Sequence, residues 1–383
     1  MRIHEEVEAL LDECCAIRRS LHRIPEPGFE EFKTSEFIRG ILEKYPPDNV
    51  EALVTTGVKA VYYAKNQKAM TIAFRADMDG LHIDELNDVE YKSLNEGKMH
   101  ACGHDGHVTM LLLLARLIHE HREKQTVNVV LLFQPAEESK GGAFKMLAEG
   151  ALMNPAVDRI YGMHLWPDVP KGKIGIRWGP MMATSSALDI IVRGVSSHGS
   201  SPQHGVDAVV AAALLITTLQ TALTRNVDPR LGAVFSIGKI EGGKERNIIA
   251  DEVIMNATMR VFSEQTYDLL RERIRAMAEG ISVATGAEIE IIECMRYPCV
   301  DNPQYLVEDF YNYIDMSDVV PVEPVMAGED FACYQQEVPG LFMFLGVDGG
   351  KNTASLHNNR FDFDEDALLY GVEIYRRLLG GEY

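Results

Sequence analysis

The stretch between Ala183 and Glu293 constrains the fold more than any other part of the chain. Runs at Ala187–Arg193, Ala233–Ile240, Glu252–Val261 and Glu288–Glu293 predict strands, and helical spacing of apolar residues predicts helices over Gly205–Arg225 and Glu264–Thr285. The resulting order, β-α-β-β-α-β, is the ferredoxin-like motif. Such a unit folds as an insertion and brings its own ends together, which leaves the residues on either side to form one larger domain. The expected division is a discontinuous main domain, 1–182 and 294–383, and an inserted domain, 183–293.

The flanking segments alternate helix and strand. Two leading helices, Val7–Leu21 and Glu30–Lys44, are separated by Pro25 and Pro27. Strands follow at Gly57–Tyr63 and Met70–Arg75, then a helix at Val108–His121, a buried strand at Val127–Phe133, a helix at Gly142–Glu149 and a short strand at Arg159–Met163. Beyond the insertion come a helix at Pro303–Tyr313, a strand at Leu341–Val347 and a final helix at Glu365–Leu378. This is the pattern of an α/β protein with a mixed sheet and an inserted α+β domain.

With 37 basic and 57 acidic residues the net charge is −20, which opposes attraction to nucleic acids and anionic membranes. Six cysteines in 383 residues are too sparse for a disulfide scaffold, and no secretory segment precedes them, so a cytoplasmic location is expected. The greasy run from Val108 to Ile118 is interrupted by Arg116 and too short for a bilayer, so it reads as a buried helix.

Metal-binding side chains recur at predicted strand ends. The loop Met99–His107, MHACGHDGH, offers a thiolate at Cys102 and an imidazole at His104. The segment QPAEE places Glu137 and Glu138 after a buried strand, and neighbouring side chains point apart, so one can bind metal while the other holds water or a proton. His164 in GMHLWP and His357 in ASLHNN complete the set. Together Cys102, His104, Glu138, His164 and His357 supply enough donors for two divalent ions if Cys102 or a carboxylate bridges them. Cysteine and histidine favour zinc, cobalt or nickel over magnesium, while the glutamates leave manganese open.

RADMDGL at Arg75–Leu81, MHACGHDGH, QPAEE, GMHLWP, GEDF from Gly328 and the terminal LHNNRFDF are motifs in the order found in the M20 metallopeptidase family. The chain resembles its amidohydrolase branch, which includes aminoacylase, hippurate hydrolase and N-acetyldiaminopimelate deacetylase. The resemblance implies that Cys102, His104, Glu138, His164 and His357 are the metal ligands, with Cys102 the bridge, and that Glu137 is the general base. It also implies that Asp77 supports a ligating residue, that His198 donates to the oxyanion, and that Asn247, Arg260 and the Gly328 region meet substrate. Asp79, Asp84 and Asp105 read as surface or turn carboxylates, and His100 and His107 as supports of their loop. Met181, Met182 and Phe331 are candidates for an acyl pocket as well as for packing.

The expected activity is metal-dependent hydrolysis of small N-acyl L-amino acids carrying an acetyl or aromatic acyl group. A dipeptidase or aminopeptidase-like exopeptidase uses the same metal-assisted attack, and a noncatalytic metal-binding protein is a third class. The inserted domain is expected to act as a lid and to support a homodimer, as is common in the family.

Overall fold

The computed structural model describes residues 1–66, 68–138, 140–350 and 354–380. They form two compact units, one of Met1–Gly179, Asp301–Glu323 and Asp330–Tyr383, the other of Pro180–Val300 and Pro324–Glu329. In chain order the helices are α1 Glu5–Glu8, α2 Leu11–His22, α3 Phe32–Leu42, α4 His104–Glu120, α5 Gly142–Ala148, α6 Ala208–Asn226, α7 Glu264–Thr285, α8 Gln304–Phe310, α9 Phe331–Gln335 and α10 Ala367–Leu378. The strands are β1 Asn49–Leu53, β2 Gly57–Tyr62, β3 Thr71–Asp77, β4 Asn128–Gln134, β5 Arg159–Pro170, β6 Ile174–Ile176, β7 Gly179–Met182, β8 Thr184–Arg193, β9 Ala233–Gly242, β10 Glu252–Val261, β11 Glu288–Tyr297, β12 Val300–Asn302, β13 Val319–Pro321 and β14 Gly340–Asp348.

The first unit is built on a mixed eight-stranded sheet in the order β1-β2-β4-β3-β5-β14-β6-β13. β3 pairs parallel with β4 and β5, and β14 parallel with β5, while β2 runs antiparallel to β1 and β4. The central strands are apolar almost throughout because helices leave neither face of them wet; every residue of β3 and β4 is buried. α4 enters the core as the MLLLLA run, and α2, α3 and α10 pack around it. The expected first helix is split at Leu10, whose N–H turns to Val7 O and closes a tight turn before α2.

The second unit has an antiparallel sheet in the order β11-β8-β10-β9, with α6 and α7 packed on it. Burial alternates along β8 and β10, so one face is covered and the other is wetter. Ile190, Val192, Leu215, Leu219, Met255 and Leu270 make this core. Asp207 caps α6 by accepting from Val209 and Val210 N–H, and Ser263 caps α7. α6 is the one described helix long and apolar enough to cross a membrane, a feature that the Val108–Ile118 argument overlooked; its Ala211, Leu215 and Leu219 side is committed to the sheet. β11 runs on to Tyr297 through a bulge after Glu293, so residue 293 lies inside a strand.

Candidate active site

In the first unit, consecutive strand ends deliver polar side chains to one buried place, the usual position for ligand groups on such sheets. The chain enters α4 through Gly103 at φ 87°, where a side chain would be strained and would press on Leu165. This sharp entry puts Cys102 and His104 side by side. β4 ends at Gln134, and Ala136, at φ 57°, turns the chain just ahead of Glu137 and Glu138. His164 projects from β5. His357 is tied in by its N–H, which donates to Ala101 O at 2.8 Å.

Donor atoms of Cys102, His104 and His164 lie within 4.8 Å of one another, as do those of Cys102, Glu138 and His357, and those of His104, Glu137 and Glu138. The five expected ligands thus fall into two triads that share Cys102. Cys102 Sγ is 3.4 Å from His164 Nε2, and His357 Nε2 is 3.1 Å from Glu138 Oε1. His357 is exposed, whereas Cys102, His104 and His164 are buried.

Hydrogen bonds fix which ring nitrogens face the cluster. His104 Nδ1 donates to the Asp79 carbonyl at 3.0 Å and lies 3.2 Å from its carboxylate, leaving a buried Nε2 with no hydrogen-bond partner among the described residues. His164 Nδ1 donates to Leu165 O at 2.8 Å, leaving Nε2 toward Cys102. Imidazoles held in this way present a lone pair for metal coordination. Electrostatics agree with the donor chemistry. Burial alone would lower the His104 pKa, but Asp77, Asp79 and Glu138 push it up to about 10. Burial first, then Glu138, Glu137 and Asp77, push the Cys102 thiol well above its usual range. A dry cluster with this excess of negative charge fits divalent cations, which would stabilise the thiolate and the carboxylates together.

Asp79 corrects the reading of a surface carboxylate: it is buried, orients His104, and accepts Glu138 N–H at 3.2 Å. Asp79 is the carboxylate at the His104 Nδ1 side, while Asp77 lies 3.7 Å from His104 Nε2 and engages His107 Nδ1 at 2.5 Å and Arg75 at 2.5 Å. Asp77 and Asp79 are two residues apart, a spacing that could have signalled a shared direction. His107 Nε2 accepts Leu165 N–H at 2.9 Å, so it braces β5 beside His164. Asp105 is also buried, against Arg18 and His22, and is not a turn carboxylate of the surface; Asp84 is exposed. Arg75 and Asp330 went unremarked as a pair. Arg75 reaches Asp330 at 2.6 Å, and Asp330 N–H donates to Glu137 Oε1 at 3.4 Å. Burial raises the Asp330 carboxyl to about 6 despite Arg75.

The remaining candidates lie in the second unit. His198 is exposed, with Nδ1 engaged by Ser200 N–H at 3.2 Å, and the neighbouring Gly199 N–H donates to Asn247 O at 2.7 Å. The two expected residues therefore share one loop pair. Arg260 is half-buried and has no carboxylate partner among the described residues; burial lowers its pKa. Gly328 packs directly on it, since a Cβ there would fall 3.0 Å from an Arg260 guanidinium nitrogen and 2.6 Å from Ser185 Cβ. Met181 and Met182, in the second unit, and Phe331, in the first, are buried.

Thiolate, imidazole and carboxylate donors at the strand ends of a mixed sheet make a candidate metal site, and the similar proteins make the chain a metal-dependent amidohydrolase. The chain belongs to peptidase family M20/M25/M40, whose model matches residues 73–380. It is 38% identical over 369 residues to the IAA-amino acid hydrolase ILR1-like 4 of Arabidopsis thaliana, covering 94% of this chain and 83% of that one. It is 36% identical to N-acetyldiaminopimelate deacetylase of Bacillus subtilis, covering 95% and 97%. A solved dinuclear metal-binding peptidase of the M20 family from Bacillus subtilis superposes with a TM-score of 0.82 at 33% identity, covering 97% and 99%.

Proposed function

We propose that this enzyme hydrolyses the amide bond of small N-acyl L-amino acids, with acetyl or aromatic acyl groups, at a two-ion centre held by Cys102, His104, Glu138, His164 and His357. The two donor triads sharing Cys102, with Glu137 beside them, carry the reading. The relatives named for N-acetyldiaminopimelate and IAA-amino acid substrates support the substrate class, and the dinuclear structural relative supports two ions. Zinc, manganese, cobalt and nickel all suit this donor set.

Two divalent ions held by Cys102, His104, Glu138, His164 and His357 would supply Lewis acidity toward water and the scissile carbonyl. Glu137 takes the water proton on its carboxylate and returns it to the leaving amine, a role closed to Glu138 because its charge is committed to a cation. Asp79 holds the His104 ring. His198 donates to the developing oxyanion, and Arg260, unpaired with any described carboxylate, receives the substrate carboxylate with Asn247 and the Gly328 backbone.

Wild-type enzyme with defined metal content, offered acetyl-, benzoyl- and indoleacetyl-amino acids alongside dipeptides, is expected to prefer the acyl amino acids. Glu137→Gln should keep its metal and lose about 10²–10⁴-fold in kcat. Preference for dipeptides overturns the substrate class, and an active, fully metallated Glu137→Gln overturns the base.

The inserted domain serves as lid and pairing surface in a cytoplasmic homodimer. The sheet edge at β9, with Ile240 exposed, and the exposed Val209, Val210 and Leu214 of α6 support pairing. Sedimentation equilibrium should give twice the chain mass; a monomer at micromolar concentration removes this assignment.

A further inference from the structure

Six described non-glycine residues have positive φ, and four of them, Phe29 (65°), Val54 (49°), Thr55 (67°) and Ala136 (57°), lie in three segments that meet behind the Glu137–Glu138 turn. The junction is tight. A Cβ on Gly28 would fall 2.7 Å from Ala136 Cβ, and one on Gly57 would fall 3.0 Å from Pro135 Cδ. Lys140 Nζ also donates to Gly28 O at 2.7 Å. At the centre is Glu31, fully buried, with no cation at ion-pair distance among the described residues. Its carboxylate accepts Ala136 N–H at 2.9 Å and Thr56 Oγ1–H at 2.8 Å.

Alanine has no means of its own to hold a left-handed conformation, so Ala136 must be held from outside. Its C=O accepts Gly142 N–H at 3.0 Å, and its N–H goes to Glu31. A buried carboxylate without a cation is costly, and the hydrogen bonds it makes are what offset that cost. The direction in which Glu137 and Glu138 leave the strand depends on this one peptide.

We infer that Glu31 is a positioning residue, whose bond to Ala136 N–H holds the left-handed turn that brings the Glu137 and Glu138 carboxylates together beside His104. The inference rests on the proposed roles of those two glutamates. Glu31 touches neither substrate nor metal, and acts through the backbone of Ala136.

The test uses the full chain carrying Glu31→Ala, Glu31→Gln or Thr56→Val. It measures zinc affinity by competition with a chromophoric chelator, kcat and KM on the best wild-type substrate, and Tm. Glu31→Ala should lose about 10–100-fold in kcat with KM within about twofold, and bind zinc about 10-fold more weakly. Glu31→Gln keeps an acceptor for Ala136 N–H and should recover most of both, which a purely structural role would not separate from Tm. A folded Glu31→Ala with kcat and zinc affinity within about twofold of wild type overturns the inference, and so does Glu31→Gln failing as badly as alanine. If Glu31→Ala does not fold, Thr56→Val decides: a kcat loss of about threefold or more supports the role, and wild-type kcat overturns it. An inactive wild type would instead sink the proposed hydrolysis, while the zinc readout still tests the turn.

Discussion

Asp105→Ala should destabilise the first unit by about 3 kcal/mol. Arg18 is wholly buried, with Nε 3.0 Å from Asp105 Oδ2, and the same oxygen is 2.7 Å from His22 Nδ1. The other Asp105 oxygen accepts Gly106 N–H at 2.9 Å at the start of α4. Two charge-assisted hydrogen bonds at about 1.5–3 kcal/mol each give a gross loss of about 3–6 kcal/mol. Breaking a buried ion pair costs about 3–5 kcal/mol. Arg18 keeps Asp362 at 2.9 Å and Glu365 at 3.5 Å, which places the net cost at the lower end. Both tryptophans, Trp166 and Trp178, belong to the first unit, so fluorescence-detected urea unfolding reads it selectively. Asp105→Asn should cost about half as much, and Arg18→Met with Asp105→Leu should recover most of the loss. A loss under about 1 kcal/mol for Asp105→Ala would refute the reasoning.

The same network predicts a pH dependence. Burial would raise the Asp105 carboxyl, but Arg18 and His22 outweigh it and hold it well below the usual range. The folded state then binds fewer protons than the unfolded one, so this stability is present above about pH 4 and lost as pH falls. Burial would lower His22, yet Asp105 and Glu85 raise it; its contribution is full below about pH 6.5 and lost as pH rises through its folded value. Asp105→Asn should flatten both limbs.

Metal removal by a strong chelator should abolish turnover, and zinc or manganese should restore it in wild type but not in Cys102→Ser, because the shared donor is gone; unchanged metal stoichiometry and turnover in Cys102→Ser would contradict the shared-donor arrangement. Gly142→Ala places a Cβ 1.7 Å from Pro135 O and should cost about 3 kcal/mol or more with a loss of kcat, whereas Gly40→Ala, with nothing within 4 Å on α3, should stabilise by about 0.5–1 kcal/mol. Equal urea midpoints for those two variants would contradict the packing argument.

The order of elements in the second unit was legible because each strand and helix there carries its own period, and α7 begins and ends at the expected residues. The clustering of Cys102, His104, Glu138, His164 and His357 was legible because soft and ionisable side chains crowd the ends of apolar runs. Asp79 and Asp105 were misread because a carboxylate near glycine looks like a turn, while their partners are 25 and 87 residues away in sequence. β6 and β13 escaped notice because three residues carry no periodicity, and β1 because it is short and half-exposed. Nothing in PGFEEF sets Glu31 apart from Glu30; only the fold brings it to Ala136.

The place of β14 in the large sheet has a consequence for biosynthesis. This strand, made almost last, lies between β5 and β6, which are made before residue 180. Until it arrives, the nascent chain carries an open apolar edge along β5 on the ribosome, the kind of edge that chaperones protect and that aggregates otherwise. His357 follows β14 in sequence, so the proposed donor set is completed only when synthesis is nearly over. On the proposed ligand set, metal loading would wait for the finished chain.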